Sequence, residues 1–241
     1  MLVAIIGGTG VQSLPGWTLT AERAVGSHLV LYEGRLAGNP VLLLPRHGRG
    51  HKVPPHRIPH ALHVRLLKEH GVQAVLSTAA VGSLRPDWGA GTLVVLSDFL
   101  DFMRTIHTLY EEEVVHTDFS QPFSPLLREA ILHTAREQAI PIQPTGVYVC
   151  APGPRYETPA EIRMFRMLGG DVIGMTVVPE AILFREAGIH YASVSVVTNL
   201  GTGLSQSPLS HEEVTEVIRS VTETLARLFA GAIARLKATP L

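Results

Sequence analysis

Only one of the 241 residues is a cysteine, Cys150. An internal disulfide framework is therefore excluded, and the chain suits a reducing, cytoplasmic setting. Charge of neither sign is in excess: 20 Lys and Arg stand against 21 Asp and Glu, a net −1. That balance builds no basic field, so neither a nucleic acid nor an anionic membrane surface is an expected partner. No apolar run approaches the roughly 20 residues a spanning helix requires. The stretch Met1–Gly8 lacks the basic region of a signal peptide and passes straight into a glycine turn. The expectation is a soluble intracellular protein.

Several familiar site motifs are also missing. There is no Gly-x-Gly-x-x-Gly and no Gly-Lys-Ser/Thr, which excludes the common dinucleotide and P-loop signatures. Five histidines crowd one segment, His47, His51, His56, His60 and His63, yet residues 46–63 contain no Asp or Glu. A catalytic zinc usually draws on carboxylates beside its histidines. Pro54-Pro55 also breaks any helix that could present the five on one face. No metal and no cofactor are expected.

What is present is an α/β pattern. Apolar residues make up 46% and charged residues 17%, ordinary for a soluble enzyme, and the length suits one domain, 1–241, with a substantial core. Short apolar runs at 3–6, 28–33, 40–45, 74–78, 92–97, 145–150, 171–174 and 191–197 read as strands. Helical patterns fall at 57–70, 124–139, 159 onward, 179–188 and 210–236, the last with Ser210 as its N-cap. Strands alternating with helices imply a buried, largely parallel sheet. The stretch 98–123 is irregular and long enough to be a lid or a subunit contact.

The strand ends carry the chemistry. Gly7-Gly8-Thr9-Gly10 brings backbone N–H groups and a hydroxyl close to an anion, or simply makes a tight turn. Arg46-His47-Gly48-Arg49-Gly50-His51 concentrates donors after a strand; an Arg can fork onto a phosphate there, and a solvated basic turn would look the same. Ala79-Ala80-Val81-Gly82-Ser83 is small enough for a ligand to lie against the backbone. Pro152-Gly153-Pro154 stiffens the approach to Tyr156-Glu157, and Thr158, Pro159 and Glu161 form a near capping box. Gly174-Met175-Thr176 runs into Val177-Val178-Pro179-Glu180, a strand closing and a helix opening.

These residues resemble one family, the nucleoside phosphorylases of the trimeric purine nucleoside phosphorylase and methylthioadenosine phosphorylase type. Five motifs carry the likeness in order: Ile-Ile-Gly-Gly-Thr-Gly at 5–10, Arg-His-Gly-Arg-Gly-His at 46–51, Thr-Ala-Ala-Val-Gly-Ser at 78–83, Gly-Pro-Arg-Tyr-Glu-Thr at 153–158, and Gly-Met-Thr-Val-Val-Pro-Glu at 174–180. The resemblance implies a phosphorylase-type α/β fold, with a central mixed, partly closed sheet flanked by helices. It implies a homotrimer or a dimer of trimers. The implied reaction is phosphorolysis of a purine nucleoside to free base and ribose 1-phosphate, with inorganic phosphate as co-substrate. Thr9, Arg46, His47, Thr176 and the backbone at Ala79 and Ala80 would hold the phosphate. Met175 would lie against the ribose, Tyr156 against the base, His211 near the 5′-hydroxyl, and His116 would reach a neighbouring subunit's site.

Asn199 and Glu157 choose the base. Methylthioadenosine-type relatives place an Asp at the first position and a small polar residue at the second; the 6-oxopurine branch has Asn and Glu. Hydrogen-bond logic agrees. An Asn amide can donate to O6 and accept the proton at N7, while an ionised Glu accepts from N1–H. The expected substrates are inosine and guanosine. The alternatives are 5′-methylthioinosine or 5′-methylthioadenosine phosphorolysis and, more remotely, a non-catalytic nucleoside- or phosphate-binding protein.

Overall fold

The computed structural model describes residues 1–8, 11–25, 29–205 and 211–238. Among them a mixed sheet of ten strands is flanked by five α-helices. The centre is made by β1 (Val3–Gly7), β4 (Asn39–Pro45), β5 (Ala74–Ser83) and β10 (His190–Leu200), paired in parallel as β4–β1–β5–β10. These runs are apolar almost throughout because both faces of the sheet are covered.

Strand alternation divides the core into two layers. Ala4, Ile6, Leu42, Leu44 and Val75 face helices α1 (His60–Glu69) and α4 (Val177–Glu186). Val3, Ile5, Val41, Leu43 and Leu76 face α2 (Pro125–Glu137) and α5 (His211–Ala238). The helix α4 is buried nearly all round, Glu180 included, so that carboxylate must find its partner inside the protein.

The sheet departs from the expected parallel pattern in ways that shape the site. The strand β5 runs to Ser83, through the small residues that follow the apolar run 74–78. One edge of β5 pairs with β10 along its length. The opposite edge pairs with β1 only as far as Thr78, and with β9 (Val172–Gly174), antiparallel, from Gly82. Ala79, Ala80 and Val81 therefore have no strand beside them on that edge. The gap lies where the strand order changes, the place where open α/β sheets bind ligands.

Two strands were not expected from sequence. The strand β2 (Trp17–Val25) is mostly exposed and pairs antiparallel with β3 (Leu29–Leu36), so it carries no apolar signature. The four-residue β7 (Asp98–Asp101) sits inside the segment read as irregular and pairs with β8 (Val147–Cys150). The remaining strand, β6 (Leu93–Val95), is antiparallel to β10. The capping box is complete: Thr158 accepts from the Glu161 N–H and Glu161 accepts from the Thr158 N–H, which starts α3 (Pro159–Met167). Ser210, the expected cap of α5, lies outside the described residues.

Candidate active site

A cavity of about 430 Å³ opens at the C-terminal ends of β1, β4, β5, β9 and β10. Arg46, His47, Ala79, Ala80, Tyr156, Glu157, Met175, Thr176 and Asn199 all line it, together with Gly8. Residues as far apart in sequence as Gly8 and Asn199 are thus gathered around one ligand-sized space. Thr9 lies outside the described residues, and so does the His211 side chain; Val214, one turn further along α5, lines the cavity. His116 is exposed on the 98–123 segment and is not part of this lining.

One end of the cavity begins at Arg46, which is 1% exposed. The expected open fork is not how this side chain is used. Its Nε donates to Glu180 Oε1 at 2.5 Å and its Nη2 to Oε2 at 3.0 Å. Nη2 also donates to Ser77 Oγ at 2.7 Å and Nη1 to the Thr78 carbonyl at 2.8 Å. With four of five N–H groups committed, one Nη1 N–H remains; Nη1 lies toward Gly8, on the cavity side. Burial alone would lower the Arg46 pKa, but Glu180 outweighs it and holds the guanidinium firmly charged. Burial likewise opposes ionisation of Glu180, and Arg46 reverses that, keeping its carboxylate below the usual range. Tyr191 donates its hydroxyl to Glu180 Oε2 at 2.8 Å.

His47 stands beside this pair in neutral form. Its Nδ1 is 2.8 Å from the Val53 carbonyl. A carbonyl only accepts, so Nδ1 carries the proton and Nε2 offers a lone pair. Burial and the charge on Arg46 pull the pKa down to about 4, against the opposing pull of the Val53 carbonyl. The ring stacks on His51, with centroids 4.1 Å apart. Gly8 packs on the Nε2 side of the ring: a Cβ there would be 3.4 Å from Cδ2 and 3.6 Å from Nε2.

Thr176 completes this end. It is the N-cap of α4 but its hydroxyl makes no capping bond. The Thr176 hydroxyl is thus not committed to the helix, whereas the first backbone N–H groups of α4 are taken by the Tyr148 hydroxyl and the Cys150 sulfur. The Thr176 N–H donates to the Tyr148 hydroxyl at 3.2 Å. That hydroxyl lies so near Gly174 that a Cβ could not be accommodated without movement.

Met175, Tyr156, Glu157 and Asn199 line the other end. The Met175 sulfur packs directly on Gly153, leaving no room for a Cβ. Tyr156 is about half exposed over the opening, whereas Glu157 is buried, and burial raises its pKa. Asn199 sits just after a bulge, where β10 slips against β5 between Val197 and Asn199. Its Nδ2 donates to the Leu200 carbonyl at 2.9 Å, and its Oδ1 accepts the Thr198 hydroxyl at 2.8 Å.

Sequence reasoning missed Glu180, Ser77 and Tyr191 as the frame of Arg46. One signal was available: a lone carboxylate in Val-Val-Pro-Glu-Ala-Ile-Leu-Phe cannot be buried without a cationic partner. His60 and His63 prove to be interior residues near the same network, with His60 Nδ1 3.9 Å from Glu180 Oε1. Among the described residues, no group of three or more His, Cys, Asp or Glu side chains is placed to hold a metal ion.

Comparison with known proteins agrees with this geometry. Residues 3–234 match the family described as the Phosphorylase superfamily. The "Probable 6-oxopurine nucleoside phosphorylase" of Dictyoglomus turgidum is 46% identical over 98% of this chain and 92% of its own length. The "6-oxopurine nucleoside phosphorylase" of Pyrococcus furiosus is 40% identical over 96% of this chain and 91% of its own. The solved structure of methylthioadenosine phosphorylase from Schistosoma mansoni in complex with adenine superposes with a TM-score of 0.92 at 28% identity, covering 100% of this chain and 93% of that one. With a cavity of this composition at its strand ends and a match along nearly its whole length, the chain belongs to the phosphorylase superfamily.

Proposed function

We infer that the protein is a purine nucleoside phosphorylase acting on 6-oxopurine nucleosides. The observation that carries this reading is the pairing of Asn199 and Glu157 in the same cavity as Arg46, His47 and Thr176. One end supplies anion donors without a general acid–base carboxylate pair, which suits a reaction whose nucleophile arrives as a substrate. The other end supplies an amide and an acceptor-only carboxylate, complementary to O6, N7–H and N1–H of hypoxanthine or guanine.

The reaction is a displacement at the anomeric carbon. A phosphate oxygen forms the new bond to C1′ as the C1′–N9 bond breaks, and the bond's electron pair leaves with the purine, which takes at N7 the proton that hydrogen phosphate gives up, directly or through solvent. The transition state has oxocarbenium character, as in glycoside cleavage. Phosphate oxygens stabilise the sugar cation, and Asn199 stabilises the departing base. The remaining Nη1 N–H of Arg46, His47 Nε2 toward a protonated phosphate oxygen, Thr176 and the open edge at Ala79-Ala80 would position the anion. Thr9 and His211 retain their inferred roles toward phosphate and the 5′-hydroxyl. Inorganic phosphate is the co-substrate, and the scheme needs no cofactor.

A homotrimer, alone or doubled, fits the exposed apolar residues Ile106, Val114 and Val115 on the segment that carries His116. In such an assembly His116 would reach the neighbouring site. The single, buried Cys150 fits a cytoplasmic location.

The test is product release from inosine, guanosine, adenosine, 5′-methylthioadenosine and 5′-methylthioinosine, each with and without phosphate. Hypoxanthine appearing from inosine only with phosphate supports the reading. No inosine turnover under those conditions refutes it, and a strong preference for a methylthio substrate would reassign the sugar specificity while leaving the reaction class.

A further inference from the structure

We propose that Thr198 is a positioning residue that fixes the amide of Asn199 in the orientation a 6-oxopurine requires. The inference deepens the reading above and rests on it.

The bulge in β10 sets the geometry. Against β5, Val197 pairs with Val81 and Asn199 with Gly82, so Thr198 is the extra residue. A bulge re-aims side chains at the end of a strand, and here it brings Thr198 and Asn199 to line the same cavity. Thr198 is 5% exposed, and its Oγ1 lies 2.8 Å from Asn199 Oδ1 and 3.3 Å from the Val81 carbonyl.

Only one amide orientation satisfies these contacts. The Leu200 carbonyl, 2.9 Å from the amide, can only accept, so Nδ2 must face it. Turning the amide over would set two carbonyl oxygens against each other. With Nδ2 so placed, Oδ1 faces Thr198, and the single hydroxyl proton goes to Oδ1, the nearer acceptor at 2.8 Å, rather than to the Val81 carbonyl at 3.3 Å. The amide then keeps one free N–H and one free lone pair. That remaining pair matches the acceptor O6 and the donor N7–H of a departing 6-oxopurine.

Gly82 closes the cage. A Cβ there would be 3.3 Å from Asn199 Nδ2 and 3.2 Å from Ile173 Cγ2. The amide is thus bounded by a hydroxyl, a carbonyl and a bare backbone. Removing the hydroxyl leaves Oδ1 without its internal donor and the amide held by the Leu200 carbonyl alone.

The test compares Thr198→Val, Thr198→Ala and Thr198→Ser with the wild type on inosine and adenosine, and measures hypoxanthine binding by calorimetry. Loss of a buried hydrogen-bond partner predicts a fall in inosine kcat/KM of about 10- to 100-fold for Val and Ala. Hypoxanthine binding should weaken, the inosine-to-adenosine ratio should drop, and the KM for phosphate should stay near the wild-type value. Ser restores the hydroxyl and should recover inosine turnover to within about threefold. If Val fails to fold, the comparison of Ala with Ser decides. Wild-type turnover in Ala overturns the proposal, as does a Ser variant as poor as Ala. Failure of the wild-type enzyme on inosine would instead reject the functional reading itself.

Discussion

Arg46 and Glu180, 134 residues apart in sequence, form a two-pronged ion pair in which each side chain is 1% exposed. The pair joins the end of β4 to the first turn of α4, and so ties the anion side of the cavity to the helix that Thr176 caps. Glu180→Gln would leave a buried guanidinium without a countercharge. The expected loss is about 3–5 kcal/mol of unfolding free energy, measured by urea or guanidinium titration, with a raised KM for phosphate in the folded fraction. A variant of wild-type stability would show that the pair is not the frame of this end of the site.

Asn199→Asp tests the base edge. The carboxylate would face O6 with no donor of its own, opposing acceptor to acceptor. Inosine kcat/KM should fall by about 100-fold or more, because a buried polar mismatch is strongly rejected. Adenosine, which offers a donor at N6, should lose far less. Parallel assays of the two nucleosides check this, and an unchanged preference would remove Asn199 from base selection.

Gly82→Ala should affect activity more than stability. The added methyl meets Asn199 Nδ2 at 3.3 Å and Ile173 Cγ2 at 3.2 Å, distances that small shifts can relieve. The amide is the group displaced, so inosine kcat should drop by about 10-fold while unfolding free energy changes by about 1 kcal/mol. Equal losses of both would mean that the methyl perturbs the strand rather than the amide.

The legible parts of this protein were those written in local chemistry. Apolar runs located the central strands, and the Thr158–Glu161 capping box placed α3. The five motifs located most of the cavity lining before any geometry was known. What sequence could not supply was partnership at a distance. Nothing near Arg46 in the chain indicates that its fork closes on Glu180, so a side chain expected to face an anion is largely committed inward. The strand β2 escaped because an exposed edge needs no apolar face. The break between β1 and β9 along β5 is a topological fact with no local signature. The bulge at Thr198 is likewise invisible in a continuous apolar run that simply ends in Thr-Asn.

The two interior histidines of α1 predict how stability responds to acid. Burial, the first cause in each case, lowers His60 to about 3 and His63 to about 4, from an ordinary 6.5. Glu180 pulls both upward, and Arg46 opposes it; His107 and His63 further depress His60. Among the described residues His60 Nδ1 and His63 Nδ1 meet no hydrogen-bond partner, and Glu180 Oε1, 3.9 Å from His60 Nδ1, is too distant to be one. Because their folded values are depressed, the unfolded chain binds protons first. Their contribution is therefore complete above about pH 6.5 and is lost as pH falls toward about 4 for His63 and about 3 for His60. With two groups the slope approaches, at most, about 2.7 kcal/mol per pH unit in that window. Loss of the depressed Glu180 carboxylate acts in the same direction at lower pH. Urea midpoints at pH 7.5, 6 and 5 should fall progressively, and His60→Gln and His63→Gln, which cannot take up a proton, should each flatten the decline. A midpoint independent of pH down to 5 would show that these rings are hydrated and charged at no penalty to the fold.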